Sequence, residues 1–304
     1  MTDTPDGLQK STIGIGLLGL GVVGGGVAKI LSEKSHFLSE LAGCPLSLKA
    51  ILVRDPSKPR DHELPPSIPV TTNVADILDN PQVDIVVEVI GGEQPALDYI
   101  SQSISVGKNI VTANKEVIAR YGPDLLTQAG DKGVQILFEA SVAAGTPIIA
   151  PLLRDLVVND ILSIRGIING TTNYILTRMA REGVEFGVAL NEAQKLGYAE
   201  ADPSDDVEGT DAAYKLAILA SLAFRTRIKD SDVYREGITR ITARDFHYAA
   251  EFGYAVKLLA IANKQDGAVQ LRVHPAFVPI GSILAGVDGA QNTVEIETDL
   301  VGKV

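Results

Sequence analysis

Residues 13 to 24 read Ile-Gly-Ile-Gly-Leu-Leu-Gly-Leu-Gly-Val-Val-Gly, a short apolar run that passes at once into three spaced glycines. The run Ile13 to Leu18 predicts a buried strand, and a pattern from about Val23 to Leu41 predicts one amphipathic helix behind it. Strand, glycine turn and helix in that order form the fingerprint of a dinucleotide-binding unit. Gly19 allows the tight turn, Gly21 lets backbone approach a pyrophosphate, and Gly24 lets the helix pack closely on the strand. Val22 and Val23 stand where that helix begins, and its N-terminus would hold the phosphates. Glycine-rich turns also arise for backbone reasons alone, so the flanking elements give this one its meaning.

Outward from this turn the chain alternates strands and helices. Leu46 to Val53 predicts the second strand, ending at Arg54-Asp55 with Lys58 close behind. An acid there normally takes the ribose hydroxyls of NAD, whereas an arginine accommodates the 2′-phosphate of NADP. Arg54 and Lys58 favour NADP, and Asp55 leaves NAD open. Asp55 to Pro69 reads as an irregular, proline-rich loop. Residues 84 to 90, DIVVEVI, have the nearly continuous apolar character of a strand buried on both faces. Gly91 follows it and would lie near the nicotinamide end of a cofactor. A helix at about Gln94 to Val106 and a strand at Asn109 to Thr112 lead to Lys115, just past a strand's carboxyl end, where ligands of open α/β sheets bind. The alternative is that Lys115 is merely a first-turn residue of the next helix.

A strand at Gln135 to Phe138 leads into the small-residue stretch Glu139 to Pro147, read as a hinge between a domain at 1–145 and a second at 146–304. The second half predicts a helix from about Pro147 to Leu156 and a strand near Ile161 to Ile167. Asn169 to Asn173 would then cap a helix at Tyr174 to Arg181 and present donors toward a cleft. Two alternating stretches, Ala255 to Ala262 and Val269 to Val278, predict antiparallel strands. The fold class is therefore α/β: a Rossmann-type, mostly parallel sheet followed by an α+β domain.

The chemistry concentrates between Leu196 and Phe224. Six acidic residues and no basic one lie between Gly197 and Asp211, and a helix apolar almost all round follows, carrying Lys215 one turn after Asp211. Such a helix belongs in an interior, and a buried ammonium needs a partner. Spacing by four puts Asp211 and Lys215 on one face. Either they form a structural ion pair beneath a solvated acidic loop, or they line a site for a substrate that carries an ammonium and a carbonyl.

Composition sets the outer limits. The 304 residues carry a net charge of −11, with no basic stripe to neutralise nucleic-acid phosphates. One cysteine, Cys44, excludes a disulfide framework, and four scattered histidines suggest no transition-metal site. The N-terminus MTDTPDGLQKS lacks the build of a signal peptide, and the longest uncharged run, Ser11 to Ala28, is too short and glycine-rich to span a bilayer. A cytoplasmic protein is expected.

Several motifs together resemble one family. The turn Gly19 to Gly24, TANKEVIA at 112–119, EASVAAGTPII at 139–149, NGTTNYIL at 169–176 and GYAEADPSDDVEGTDAAYKLAILA at 197–220 are similar to homoserine dehydrogenases. REGI at 235–238, GYAVKLLA at 253–260 and VHP at 273–275 extend the likeness over essentially the whole chain from Ile13. The resemblance implies reversible hydride transfer between L-homoserine and L-aspartate 4-semialdehyde, in the biosynthesis of threonine, methionine and isoleucine. It implies Lys215 as the catalytic lysine and Lys115 as a second lysine contacting cofactor and substrate. It further implies Glu200 on the substrate amine, with Asp206, Asp211, Gly197 and Thr172 completing the pocket. Glu139, Val142, Ala144 and Thr146 resemble the family's site for a monovalent cation such as sodium, although a simple loop remains the alternative there. A homodimer formed through the second domain is implied as well. The chain stops where such proteins continue with a glycine-rich turn and a returning helix, and many add a regulatory domain. On that basis part of the cofactor pocket and any amino-acid feedback are expected to be lacking. A non-catalytic cofactor-binding fragment and a related enzyme such as aspartate dehydrogenase are the competing readings.

Overall fold

The computed structural model describes residues 10–59, 68–265 and 267–304. Nearly all of the stretch read for a signal peptide, and residues 60–67 of the proline-rich loop, lie outside the described residues. The chain divides into two compact units, Met1–Val117 with Pro123–Phe138, and Ile118–Gly122 with Glu139–Val304.

The first unit opens with β1 (Ile13–Leu18), followed by α1 (Val22–Glu33), α2 (Ser35–Ala42) and β2 (Leu46–Leu52). Then come β3 (Val70–Thr71), α3 (Ala75–Leu78), β4 (Ile85–Glu88), α4 (Ala96–Ser105), β5 (Asn109–Thr112), α5 (Lys115–Lys132) and β6 (Ile136–Leu137). Six strands lie in the order β3-β2-β1-β4-β5-β6, and every pairing is parallel. This is the doubly wound dinucleotide-binding order, with its reversal between β1 and β4. Helices cover both faces of such a sheet, so its central strands must be apolar on both sides. Leu17, Leu18, Ile51 and Val86 are accordingly fully buried. The single helix expected from Val23 to Leu41 is two, broken at Lys34, whose ψ of 22° leaves helical geometry while its N–H still reaches the Ile30 carbonyl.

The second unit contains β7 (Ile161–Ile167), α6 (Gly170–Glu182), α7 (Phe186–Lys195), α8 (Ser204–Val207) and α9 (Thr210–Phe224). It continues with β8 (Tyr234–Arg235), α10 (Ala243–Glu251), β9 (Tyr254–Gln265), β10 (Ala268–Pro279) and β11 (Thr293–Thr298). Five strands order as β11-β7-β9-β10-β8, antiparallel except for β8 on β10. Two helices differ from expectation. The segment read as Pro147 to Leu156 forms a wide π-type turn over Pro151–Asp155, closed by the Leu156 N–H on the Pro151 carbonyl at 2.9 Å. Conversely, α6 starts four residues before the expected Tyr174, because Asn169 supplies the cap.

Candidate active site

Each unit carries one half of the sequence-predicted residues. In the first, the chain leaves β1 through Gly19, whose φ of 104° suits only glycine and whose added Cβ would stand 2.8 Å from the Val89 carbonyl oxygen. A Cβ on Gly24 would overlap the Gly19 carbonyl oxygen, whereas one on Gly21 would meet nothing within 4 Å. Gly21 is the N-cap of α1 and no side chain caps that helix, so its first N–H groups are left for a ligand. Val22, 95% exposed, and Val23, 54% exposed, flank this opening. Closed beneath, open above and rich in free donors, the turn fits the pyrophosphate of a dinucleotide.

At the tip of β2, Arg54 and Lys58 are exposed, and Arg54 has no hydrogen-bond partner among the described residues. Asp55 is turned onto its own loop, accepting from the Ser57 N–H at 2.9 Å and the Ser57 hydroxyl at 2.6 Å. Gly91 and Gly92 follow β4 with φ of 79° and 70°. Lys115 is the first residue of α5, immediately after its cap Asn114, which accepts from the Val117 N–H at 3.1 Å.

In the second unit, the apolar character of residues 212–224 makes α9 a buried helix, and its polar end converges on Asn169 at the start of α6. The Asn169 amide is fully engaged. Its oxygen accepts from the Thr172 N–H at 2.8 Å and the Thr172 hydroxyl at 2.9 Å. Its nitrogen donates to Asp206 Oδ1 at 2.6 Å and to Asp211 Oδ2 at 2.8 Å. Two donors and two acceptors leave the amide one orientation only. Asp211, 2% exposed, also receives Lys215 Nζ at 2.6 Å, and Nζ donates in addition to the Ile168 carbonyl at 3.0 Å. An ammonium has three donors, so among the described residues one N–H of Lys215 remains, and the side chain is 16% exposed.

Lys215, Asp211, Asp206 and Thr172 are thus brought together, with Thr172 buried and its hydroxyl turned onto Asn169 rather than toward an opening. Glu200 is exposed, and among the described residues only its backbone carbonyl is bonded, by the Gln194 side chain at 3.1 Å. Gly197 turns the chain with a φ of 77°. The residue that sequence reasoning undervalued is Asn169, read with its neighbours as a cap and a donor toward a cleft but not as the centre of the cluster. Its signal was an asparagine opening a helix directly after an apolar strand.

Glu139 accepts three backbone N–H groups, from Ile148 at 2.6 Å and from Ile149 and Ala150 at 2.8 Å each. Beside it Ala143 holds a left-handed φ of 47°, strained for a residue with a side chain, and Gly145 holds 82°. Among the described residues no group of three or more His, Cys, Asp or Glu side chains is placed to hold a metal. No helix among them is long and apolar enough to cross a membrane.

Two family models match, homoserine dehydrogenase NAD-binding domain over residues 19–139 and homoserine dehydrogenase over residues 147–304. The homoserine dehydrogenase of Synechocystis sp. is 50% identical over 297 residues, covering 96% of this chain and 68% of that protein. The chain belongs to the homoserine dehydrogenase family. It is an oxidoreductase acting on a CH–OH group, with a pyridine-nucleotide-binding domain at its N-terminal side. The homoserine dehydrogenase of Thiobacillus denitrificans superposes with a TM-score of 0.92 at 45% identity, covering 96% of this chain and 68% of the other. A hyperthermophilic archaeal homoserine dehydrogenase solved in complex with NADPH superposes with a TM-score of 0.79 at 29% identity, covering 96% and 90%.

Proposed function

We propose that this homoserine dehydrogenase interconverts L-homoserine and L-aspartate 4-semialdehyde with NADP as its preferred cofactor, residues 1–145 binding the cofactor and 146–304 the substrate. The observation that carries the reading is Lys215, held by Asp211 and the Ile168 carbonyl with one N–H left over. The nicotinamide, when bound, supplies or accepts the hydride. Lys215 directs its remaining N–H at the aldehyde oxygen, stabilises the charge that grows there, and delivers the proton from Nζ. Asp211 and Asn169 fix the direction of that N–H, and Thr172 acts through Asn169. Asp206 and Glu200 supply the negative charge that holds the substrate ammonium, beside the turn at Gly197. Lys115 assists on the cofactor side.

NADP is supported by the exposed guanidinium of Arg54, with Lys58 four residues on, and by Asp55, whose carboxylate is folded onto Ser57 instead of standing open to ribose hydroxyls. A relative solved with NADPH agrees. A monovalent cation at Glu139, Val142, Ala144 and Thr146 is supported by the strained loop at Ala143. It also gains from Asn292, whose Nδ2 donates to the Ala144 carbonyl at 3.4 Å while its buried Oδ1 has no partner among the described residues. An orphaned oxygen beside a loop of carbonyls suits a hard cation. We also assign a homodimer formed through the second unit and a cytoplasmic location, which the solution mass and cell fractionation test. The decisive assay follows reduction of NADP or NAD by the purified chain with L-homoserine. Absence of turnover with both would overturn the activity, and equal efficiency with both would remove the NADP preference.

A further inference from the structure

The strand β4 reads Ile-Val-Val-Glu, and Glu88 is an acid at the end of a segment built to be apolar. It is fully buried, and no cation pairs with it among the described residues. Its two oxygens are both occupied. Oε1 accepts from the Ile90 N–H at 2.8 Å, and Oε2 accepts from the Thr112 hydroxyl at 2.6 Å. The Thr112 oxygen itself accepts from the Asn114 N–H at 3.0 Å, and Asn114 Nδ2 reaches across to the Gly92 carbonyl at 2.8 Å. A closed circuit therefore runs from the turn after β4, through the carboxylate to the end of β5, and back from Asn114 to the same turn. Both segments lie at the carboxyl edge of the sheet, where this fold binds its ligands.

The donors that face this position suit a carboxylate. With Asn114 donating to the Thr112 oxygen, the hydroxyl proton points at residue 88, while the Ile90 N–H points at it from the other side. An ionised carboxylate accepts from both sides, whereas a carboxamide whose oxygen takes the Ile90 N–H meets Thr112 with a donor and turns that hydrogen bond round. Burying a carboxylate without a cation is unfavourable, and a valine would serve the sheet's packing better. The position is thus shaped by something other than strand stability.

We infer that Glu88 is a positioning residue, locking the Gly91-Gly92 backbone and the start of α5, with Lys115 upon it, into one fixed arrangement for the nicotinamide half of the cofactor. This rests on the reading above that Gly91 and Lys115 contact the cofactor. The test uses the full 304-residue chain with Glu88→Gln, Thr112→Val, Thr112→Ser and Lys115→Ala. NADPH binding is read from nicotinamide fluorescence, kcat and KM from homoserine oxidation, and folding from the melting temperature. Glu88→Gln and Thr112→Val should each weaken NADPH binding and lower kcat by about tenfold, the effect of one hydrogen bond to a charged group. The double variant should be no worse than either single, because both break the same circuit. Thr112→Ser, which keeps the hydroxyl, should restore binding and kcat. If Glu88→Gln fails to fold, the Thr112 pair decides alone. Unchanged NADPH binding and kcat in Glu88→Gln and Thr112→Val, with turnover lost in Lys115→Ala, would overturn the inference. Turnover kept in Lys115→Ala would instead remove the role of that lysine, and NADPH binding then decides the role of Glu88 independently.

Discussion

The glycine turn of the first unit and the Asn169 cluster of the second are built on opposite principles. The turn presents backbone: its donors are the N–H groups of a helix start, and its side chains matter chiefly by being absent at Gly19, Gly21 and Gly24. The cluster presents side chains gathered from the end of β7, the cap of α6, and the helices α8 and α9, so Asn169 meets Asp211 across 42 positions of sequence. A backbone site is proofed by local geometry. A side-chain site depends on every element that delivers a member to it.

The sharpest break of this contrast is Lys215→Ala. Losing one preorganised donor to a developing oxyanion should lower kcat by about 10²- to 10³-fold, while NADPH titration of the variant stays at the wild-type value. Weakened NADPH binding would mean the two sites are not separable by side chain. Asn169→Ala comes next. It removes a helix cap, which costs about 1 kcal/mol, and takes the amide donor from both aspartates, so we expect a loss in kcat on the order of tenfold or more with only a modest fall in melting temperature. A fall in melting temperature with kcat intact would make Asn169 a cap and nothing else.

In the turn, Gly24→Ala and Gly21→Ala should separate packing from binding. The first forces a methyl into the Gly19 carbonyl and should lower stability by about 1 to 3 kcal/mol. The second adds a methyl to open space and should leave the melting temperature alone while weakening NADPH binding, measured by fluorescence titration. Identical behaviour of the two variants would refute the division. Arg54→Ala should weaken NADPH by about tenfold and leave NADH unchanged, as paired titrations would report.

The smallest expected effect on turnover tests whether any polar network in the second unit matters as the Asn169 cluster does. Lys257, 4% exposed on β9, donates to Asp288 at 3.1 Å and to the Val287 carbonyl at 2.5 Å. Burial pushes the Asp288 carboxyl up, but Lys257 and Arg181 more than offset this and hold it below the ordinary range. A lowered carboxyl stabilises the fold at neutral pH, and that contribution disappears as pH falls through the lowered value. Asp288→Asn should therefore reduce stability by about 1 kcal/mol at neutral pH, with the gap to wild type closing in strong acid and kcat nearly unchanged. A gap that widens in acid would contradict the assigned direction.

The first unit was largely legible before any coordinates. Strand positions, the glycine turn and the Arg54-Asp55 tip are local patterns, and the parallel order follows once strands alternate with helices. The break at Lys34 was hidden because an apolar stripe continues across it, and the π-type turn at Pro151 because periodicity does not register one extra residue per turn. In the second unit, the run after Asp211 correctly announced a buried helix around one lysine. Glu200 was expected beside it but is exposed, its carboxylate free of hydrogen bonds to the cluster among the described residues. Glu88 passed unnoticed as one letter in DIVVEVI.

What the sequence determined by itself is the order of elements, the nucleotide turn and the pairing of Asp211 with Lys215, since each depends on neighbours within a turn or two of backbone. What only the tertiary structure decided is where hydrogens go. That Asn169 orients two carboxylates, that Thr172 faces inward, and that Glu88 accepts from two sides are facts of distances between groups whose meeting no local pattern announces. Hydrogen bonds reach about 3 Å, and no periodicity encodes which distant groups will come that close.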